Sequence, residues 1–209
     1  MRIIEPSWQF EEEINPKAIM EKIERAGRTC YKSEGRIGDG TAEKFIRSII
    51  KRGHESVLEH ASITVRMICD RGVSHELVRH RIASYSQEST RYCNYADGKF
   101  GGELTFIRPC YWATKPMHYA RWGEAMLYAE ATYNDLIKLG ATPEEARSVL
   151  PNSLKTEVVV TMNIREWRHF FKLRTAPAAH PQMREIAGMM LEGFREKLPV
   201  LFGDIGGKE

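Results

Sequence analysis

The apolar positions fall into two periods that alternate along the chain. Ile63, Val65 and Met67 are interleaved with Thr64 and Arg66 and closed by Cys69, which predicts a strand with one face in a core. Thr156 to Met162 carries Val158, Val159 and Val160, which predicts a second, well-buried strand. Arg2 to Ile4 predicts a short edge strand, Tyr92 to Tyr95 an extended segment, and Leu104 to Ile107 a further strand stopped by Pro109. Helical spacing fills the gaps. Asn15-Pro16 opens a helix with Ile19, Ile23 and Ala26 as its stripe and Gly27 as its stop. Thr41 caps the next, which buries Ala42, Phe45, Ile46 and Ile49 and ends at Gly53. After a turn at Gly72, Ser74 caps a short helix carrying Leu77 and Val78.

The longest helical pattern runs from Lys115 to Leu139, with Pro116 in its first turn. Its apolar face is broad and aromatic: Tyr119, Trp122, Ala125, Met126, Ala129, Tyr133, Leu136 and Ile137. Thr142-Pro143-Glu144-Glu145 then has the form of a capping box, and the helix it starts presents Arg147 before Pro151 stops it. Glu166 to Leu173 is helical, with Trp167, Phe170 and Phe171 apolar, and Pro181 starts a last helix through Ile186, Met189, Met190 and Phe194. Gly35 to Gly40 is a surface loop, Asp97 to Gly102 a turn, and Gly203 to Glu209 a loose tail. No repeat or domain boundary stands out. The expectation is a single α+β domain over residues 1–209, with a small, mostly antiparallel central sheet flanked by helical layers.

Composition narrows the class. The chain has 209 residues, 42% hydrophobic and 28% charged, enough to bury a core and too apolar for disorder. A net charge of +3 argues against general nucleic-acid coating, though not against a local basic pocket. Cys30, Cys69, Cys93 and Cys110 match no zinc spacing, and free thiols in a reducing compartment account for them. The first residues do not form a signal peptide, and no apolar run reaches membrane-spanning length, so a cytoplasmic location is expected. His54, Glu55, Glu59 and His60 lie close together but lack the H-E-x-x-H spacing, and no metal is assigned.

Two basic centres carry the candidate chemistry. One is Arg79, His80, Arg81, Ser84, Ser89 and Arg91; the other is Arg147, Asn163, Arg165, His169 and Arg174. Guanidiniums this close repel one another unless anions or carboxylates compensate, and their planar forks suit phosphate. Ser89, Thr90 and loop N–H groups add phosphate donors. Gln87 and Asn163 each offer a donor and an acceptor, as the edge of a pyrimidine or a flavin requires. A solvated basic loop is the plainer reading, and the residues alone leave both open. No nucleophile elbow or Ser–His–acid order is present.

Arg79-His80-Arg81, seven residues, then Ser89 resembles the signature of the flavin-dependent thymidylate synthase family. The likeness continues at Arg91-Tyr92, Arg147-x-x-Leu150-Pro151, Asn163-Ile164-Arg165 and His169-Phe170-Phe171-Lys172-Leu173-Arg174, and includes His54-Glu55 with Glu59-His60. It covers about residues 50 to 180, and the motifs are several and in order.

The resemblance implies reductive methylation of dUMP to dTMP. Methylenetetrahydrofolate is the implied carbon donor, FAD the cofactor, and NADPH the reductant. It implies flavin contacts from Ser56, Arg79, His80, Arg81, Asn163, Arg165 and His169. It places Glu76, Arg79, Gln87, Glu88, Ser89, Thr90, Arg91, Arg147 and Arg174 at the deoxyuridylate. Arg174 and His54 are the implied catalytic residues, Arg174 polarising the uracil near N3 and O2 and His54 standing near flavin and folate. A homotetramer with composite sites is implied as well. Two positions depart from relatives: Gln87 stands where some carry glutamate, and His169 where some carry asparagine. The competing expectations are a single-stranded nucleic-acid binder using Tyr92, Tyr95 and Phe100, with steep salt dependence, and a flavoprotein of the same fold without activity.

Overall fold

The computed structural model describes residues 1–98 and 102–206. Lys99 to Gly101 of the expected turn, with Phe100 of the nucleic-acid reading, and residues 207–209 of the expected tail lie outside the described residues. In chain order the elements are β1 (Arg2–Ile4), β2 (Ser7–Phe10), α1 (Pro16–Thr29), α2 (Thr41–Lys51), β3 (Ser62–Asp70), α3 (Arg71–Leu77) and β4 (Ala83–Gln87). There follow β5 (Thr105–Ile107), α4 (Pro116–Lys138), α5 (Pro143–Ala146), β6 (Lys155–Asn163), α6 (Ile164–Arg174), α7 (Pro181–Lys197) and α8 (Pro199–Phe202). A four-stranded antiparallel sheet has the order β2-β3-β6-β4, and β1 pairs in parallel with β5. The fold is therefore the expected α+β class with helices around a small sheet. No described helix is long and apolar enough to cross a membrane.

The chain forms two compact units. The first comprises Met1–Trp8, Arg66–Arg79 and Tyr85–Val159; the second comprises Gln9–Val65, His80–Ser84 and Val160–Glu209. In the first, α4 packs Trp122, Met126 and Tyr133 against Tyr95, Leu104, Phe106, Ala146 and Leu154. The indole N–H of Trp122 donates to Ser153 Oγ at 3.0 Å, so the ring is buried with its polar atom satisfied. The face of α4 is narrower than its composition implies, since Ala125 is exposed. The second unit is built on aromatic packing. On α6, Phe170 packs on Trp167 and Phe171; Trp167 and Phe171 meet Phe194 of α7, and Phe171 meets Phe202 of α8, all at centroid distances of 5.0–5.8 Å. Trp167 is fully buried and donates its indole N–H to Ile63 O at 3.0 Å.

Several local expectations need correction. Gly27 does not stop α1. It lies inside the helix, where an added Cβ would come within 2.4 Å of the Phe45 ring and 2.9 Å of Val57 Cγ1, so close packing requires glycine. Thr41 is the first residue of α2 and Gly40, at φ 69°, occupies the cap. α3 starts at Arg71, capped by Asp70, whose carboxylate accepts from Val73 N at 2.7 Å, so neither a Gly72 turn nor a Ser74 cap is formed. The residues from Tyr92 to Tyr95 turn rather than extend. The tail is not loose through Ile205: that side chain is 2% exposed, and Asp204 binds Arg168 at 2.7 Å through both oxygens. Finally, the basic stretch is not one loop, because β4 runs through its middle.

Candidate functional site

Asn163 ends β6 and caps α6, its Oδ1 accepting from Glu166 N at 2.9 Å. The cap fixes the first turn of α6, and the helix then places Glu166, His169 and Arg174 along one run of the second unit. Asn163, Arg165, Glu166, His169 and Lys172 line a cavity of about 420 Å³, which Glu55, Glu59 and Ile82 complete. Arg165 pairs with Glu59 at 2.6 Å, about half exposed on both sides, a pair worth little in water and readily exchanged for a ligand anion.

The two basic centres of the sequence touch at His80. Its ring is 5% exposed, and Nδ1 lies 2.9 Å from a Glu166 carboxylate oxygen. Arg174 donates its Nε–H to His80 Nε2 at 3.0 Å. A guanidinium cannot accept and a carboxylate cannot donate, so the geometry requires a neutral imidazole with its proton on Nδ1. Burial lowers the His80 pKa below the ordinary imidazole value; the Glu166 bond opposes this, and the Arg174 charge adds to the lowering. Phe170 meets the ring edge-on at 5.1 Å, and His169 lies 5.6 Å away centre to centre. The donor atoms of His80, Glu166 and His169 all lie within 4.8 Å of one another. Hydrogen bonds to Glu166 and Arg174 already engage both nitrogens of His80.

The 3-10 turn Glu55–His60 sends residues two ways. Glu55 and Glu59 join the cavity just described, whereas His54 and Ser56 line a second cavity of about 800 Å³ in the same unit. Arg28, Arg36, Lys44 and Arg52 give that second cavity a cationic rim. His54 and Ser56 are thus close in sequence to the Asn163–His169 group but line a separate recess. Arg81 is exposed.

The implied nucleotide residues other than Arg174 lie in the first unit, and Arg174 lies in the second. The capping box forms as expected: Glu145 N donates to Thr142 Oγ1 at 3.3 Å, and Thr142 N donates back to the Glu145 carboxylate at 2.8 Å. Hydrogen bonds from Thr142 hold the Glu145 carboxyl below its usual range. α5 then delivers Arg147 directly, and its guanidinium reaches Thr90 Oγ1 at 3.4 Å. Arg91 pairs with Glu144 at 3.2 Å, with both side chains about half exposed. Ser89, Thr90, Arg91 and Arg147 are therefore neighbours, and a phosphate can take Glu144's place at Arg91 with little cost. Arg79 is exposed and Glu76 half-buried.

Gln87 and Glu88 line a third cavity, of about 590 Å³, with Arg66, Lys155, Glu157 and Tyr95. Gln87 Nε2 donates to Ser74 Oγ at 2.9 Å and Thr156 Oγ1 at 3.1 Å. Both oxygens of Glu88 are engaged, one by Tyr95 Oη at 2.8 Å and the other by Lys155 Nζ at 2.7 Å. Burial, then Glu88's charge, pushes the Tyr95 hydroxyl well up, so it stays a donor at any physiological pH. Arg66, expected on the second face of its strand, pairs there with Glu157. Glu166 was not among the expected site residues, although it is 9% exposed and touches His80. The spacing Asn163-x-x-Glu166 is a helix-start signature, which explains the residue without drawing attention to its side chain.

Comparison with known proteins identifies the family of the chain. Residues 16–200 match the family model described as "Thymidylate synthase complementing protein". A flavin-dependent thymidylate synthase of Pyrococcus furiosus is 40% identical over 172 residues, covering 82% of this chain and 70% of that protein. One of Thermococcus onnurineus is 40% identical over 157 residues, covering 75% of this chain and 63% of that protein. The chain thus spans roughly two thirds of these relatives' length. A solved structure of the UMP/dUMP methylase PolB from Streptomyces cacaoi, bound with 5-Br dUMP, shares the fold. Its TM-score is 0.80 at 22% identity, over 97% of this chain and 96% of that one. Matched over most of its length by the family model and by relatives of this identity, the chain belongs to the thymidylate synthase complementing protein family, the flavin-dependent thymidylate synthases.

Proposed function

We propose that the protein methylates dUMP reductively to dTMP, with methylenetetrahydrofolate as carbon donor, FAD as cofactor and NADPH as the source of reducing equivalents. The observation that carries the reading is the hydrogen bond from Arg174 to His80, which joins the two basic motifs through one pair of side chains. The donor set fits a flavin nucleotide. Arg165 and His169 offer cationic and imidazole donors, Asn163 offers an amide, and His54 and Ser56 lie beside the cationic rim of Arg36, Lys44 and Arg52. Arg79 and Arg81 belong to the same set, whereas His80, with both nitrogens engaged, holds Arg174 rather than donating to the flavin. When bound, FAD supplies the hydride chemistry that side chains cannot.

The chain's own residues bind and polarise. Ser89, Thr90, Arg91 and Arg147 hold the nucleotide phosphate, with Glu76, Arg79, Gln87 and Glu88 completing the deoxyuridylate site. Arg174 stands at the N3/O2 edge of the uracil, where negative charge grows as C5 becomes nucleophilic. That polarisation needs no protein thiol. Of the cysteines, Cys69 is buried and burial raises its pKa far above neutrality, so it stays a protonated, unreactive thiol. His54 contributes at the flavin and folate end. The active assembly is a homotetramer with sites shared between subunits, a reading supported by Met117 and Tyr128, 80% and 78% exposed on α4.

The purified protein should be yellow, and anaerobic NADPH should bleach its flavin absorbance. A colourless protein that ignores added FAD would overturn the proposal.

A further inference from the structure

We propose that Glu166 is a positioning residue for Arg174, acting through the tautomer of His80. The inference rests on the function proposed above. Three groups are in series: the Glu166 carboxylate, 2.9 Å from His80 Nδ1, and the Arg174 Nε–H, 3.0 Å from His80 Nε2. Glu166 and His80 are 9% and 5% exposed, so water does not easily replace a missing partner.

Only one proton arrangement satisfies both bonds. With the proton on Nδ1, the ring donates to Glu166 and accepts from Arg174. With the proton on Nε2, two donors face each other at Arg174 and two acceptors at Glu166. With both nitrogens protonated, the donor clash at Arg174 remains and adds a like-charge repulsion. Glu166 therefore selects the imidazole form that can hold a guanidinium. Anchored through Nε, Arg174 has the direction of its planar fork fixed. A fork meant to meet the N3/O2 edge of a pyrimidine depends on that direction more than on charge alone.

His80 is held from several sides. Glu166, His169 and Arg174 approach it from α6, whose Phe170 closes one ring edge. Of these, the Glu166 carboxylate stands 2.9 Å from Nδ1, where it accepts the proton.

The test compares wild type, Glu166→Ala and Glu166→Gln by nitrogen NMR of histidine-labelled protein and by dTMP formation. In wild type His80 should carry its proton on Nδ1. Glu166→Ala should move the proton toward Nε2 and lower kcat by about 100-fold, the scale expected when a reacting geometry is misplaced. The KM for dUMP should change much less. Glu166→Gln can turn its amide oxygen to Nδ1–H, so it should keep the tautomer and most of the rate. That variant also decides the matter if Glu166→Ala fails to fold. A wild-type Nε2 tautomer would overturn the proposal, as would a shifted tautomer with unchanged kcat or a Glu166→Gln variant as slow as Glu166→Ala. If wild type forms no dTMP, the proposed function fails separately, while the tautomer measurement still decides the hydrogen-bond series.

Discussion

At the scale of single residues, the site is organised by what each polar group must pair with once it is buried. Arg174 meets His80 because a half-buried guanidinium needs acceptors, and the only acceptor an imidazole offers is a deprotonated nitrogen. Replacing Arg174 with Ala should leave flavin bound and reduce kcat for dTMP by about 100- to 1000-fold, the usual loss when one charge-stabilising donor is removed. Near-normal turnover in single-turnover assays would remove Arg174 from that role. His80 also makes a prediction about pH. Its folded pKa is lowered, so near pH 6 the unfolded chain binds more protons than the folded one, and stability falls as pH falls. The contribution is complete above the ordinary imidazole value of about 6.5 and shrinks as pH drops through it. The Tm advantage of wild type over His80→Gln should therefore be larger at pH 7.5 than at pH 5.5, and thermal melts at the two pH values check it. Most of these residues were legible as motif positions. Glu166 was not, because burial of a charged side chain depends on partners from distant elements, and no local spacing announces it.

At the scale of elements, the strands and helices with a clean apolar period are legible, and the exceptions have physical causes. β3 alternates buried and half-buried positions over most of its length, as its sequence implies; β6 alternates too, leaving Val159 half-buried, so its run of valines is buried on one face and not on both. β4 alternates too, but its residues are Ala, Ser, Tyr, Ser and Gln, so a polar strand beside three cationic residues passes for a loop. Gly27 has the sequence position of a helix stop, whereas its actual role is steric and set by Phe45 and Val57. Gly27→Ala should therefore destabilise the second unit by about 1–3 kcal/mol through overpacking, measurable by denaturant titration. A neutral or stabilising result, as helix propensity alone would give, contradicts the packing account. The Thr142 box is the clearest case of sequence and structure agreeing, because both of its hydrogen bonds are local. Thr142→Ala should cost about 1 kcal/mol of stability and, by loosening the helix that delivers Arg147, raise the KM for dUMP more than it lowers kcat. Steady-state kinetics separates the two effects.

At the scale of the whole molecule, the chain's membership of its family is legible from motifs strung over most of its length, because each motif lies where a strand or helix ends. Asn163 closes β6 and caps α6, Arg147 follows α5, and His80 lies between α3 and β4. The proposed assembly rests on the resemblance, and the structure adds only that Met117 and Tyr128 are exposed on α4. The central claim, that these residues serve reductive methylation of a uracil nucleotide, is tested most directly by one anaerobic assay. Purified protein is given dUMP, methylenetetrahydrofolate and NADPH, with and without added FAD, and dTMP is measured. The account predicts dTMP formation that depends on all three substrates and on flavin; no dTMP from protein loaded with FAD, or dTMP formed equally well by flavin-free protein, would contradict it.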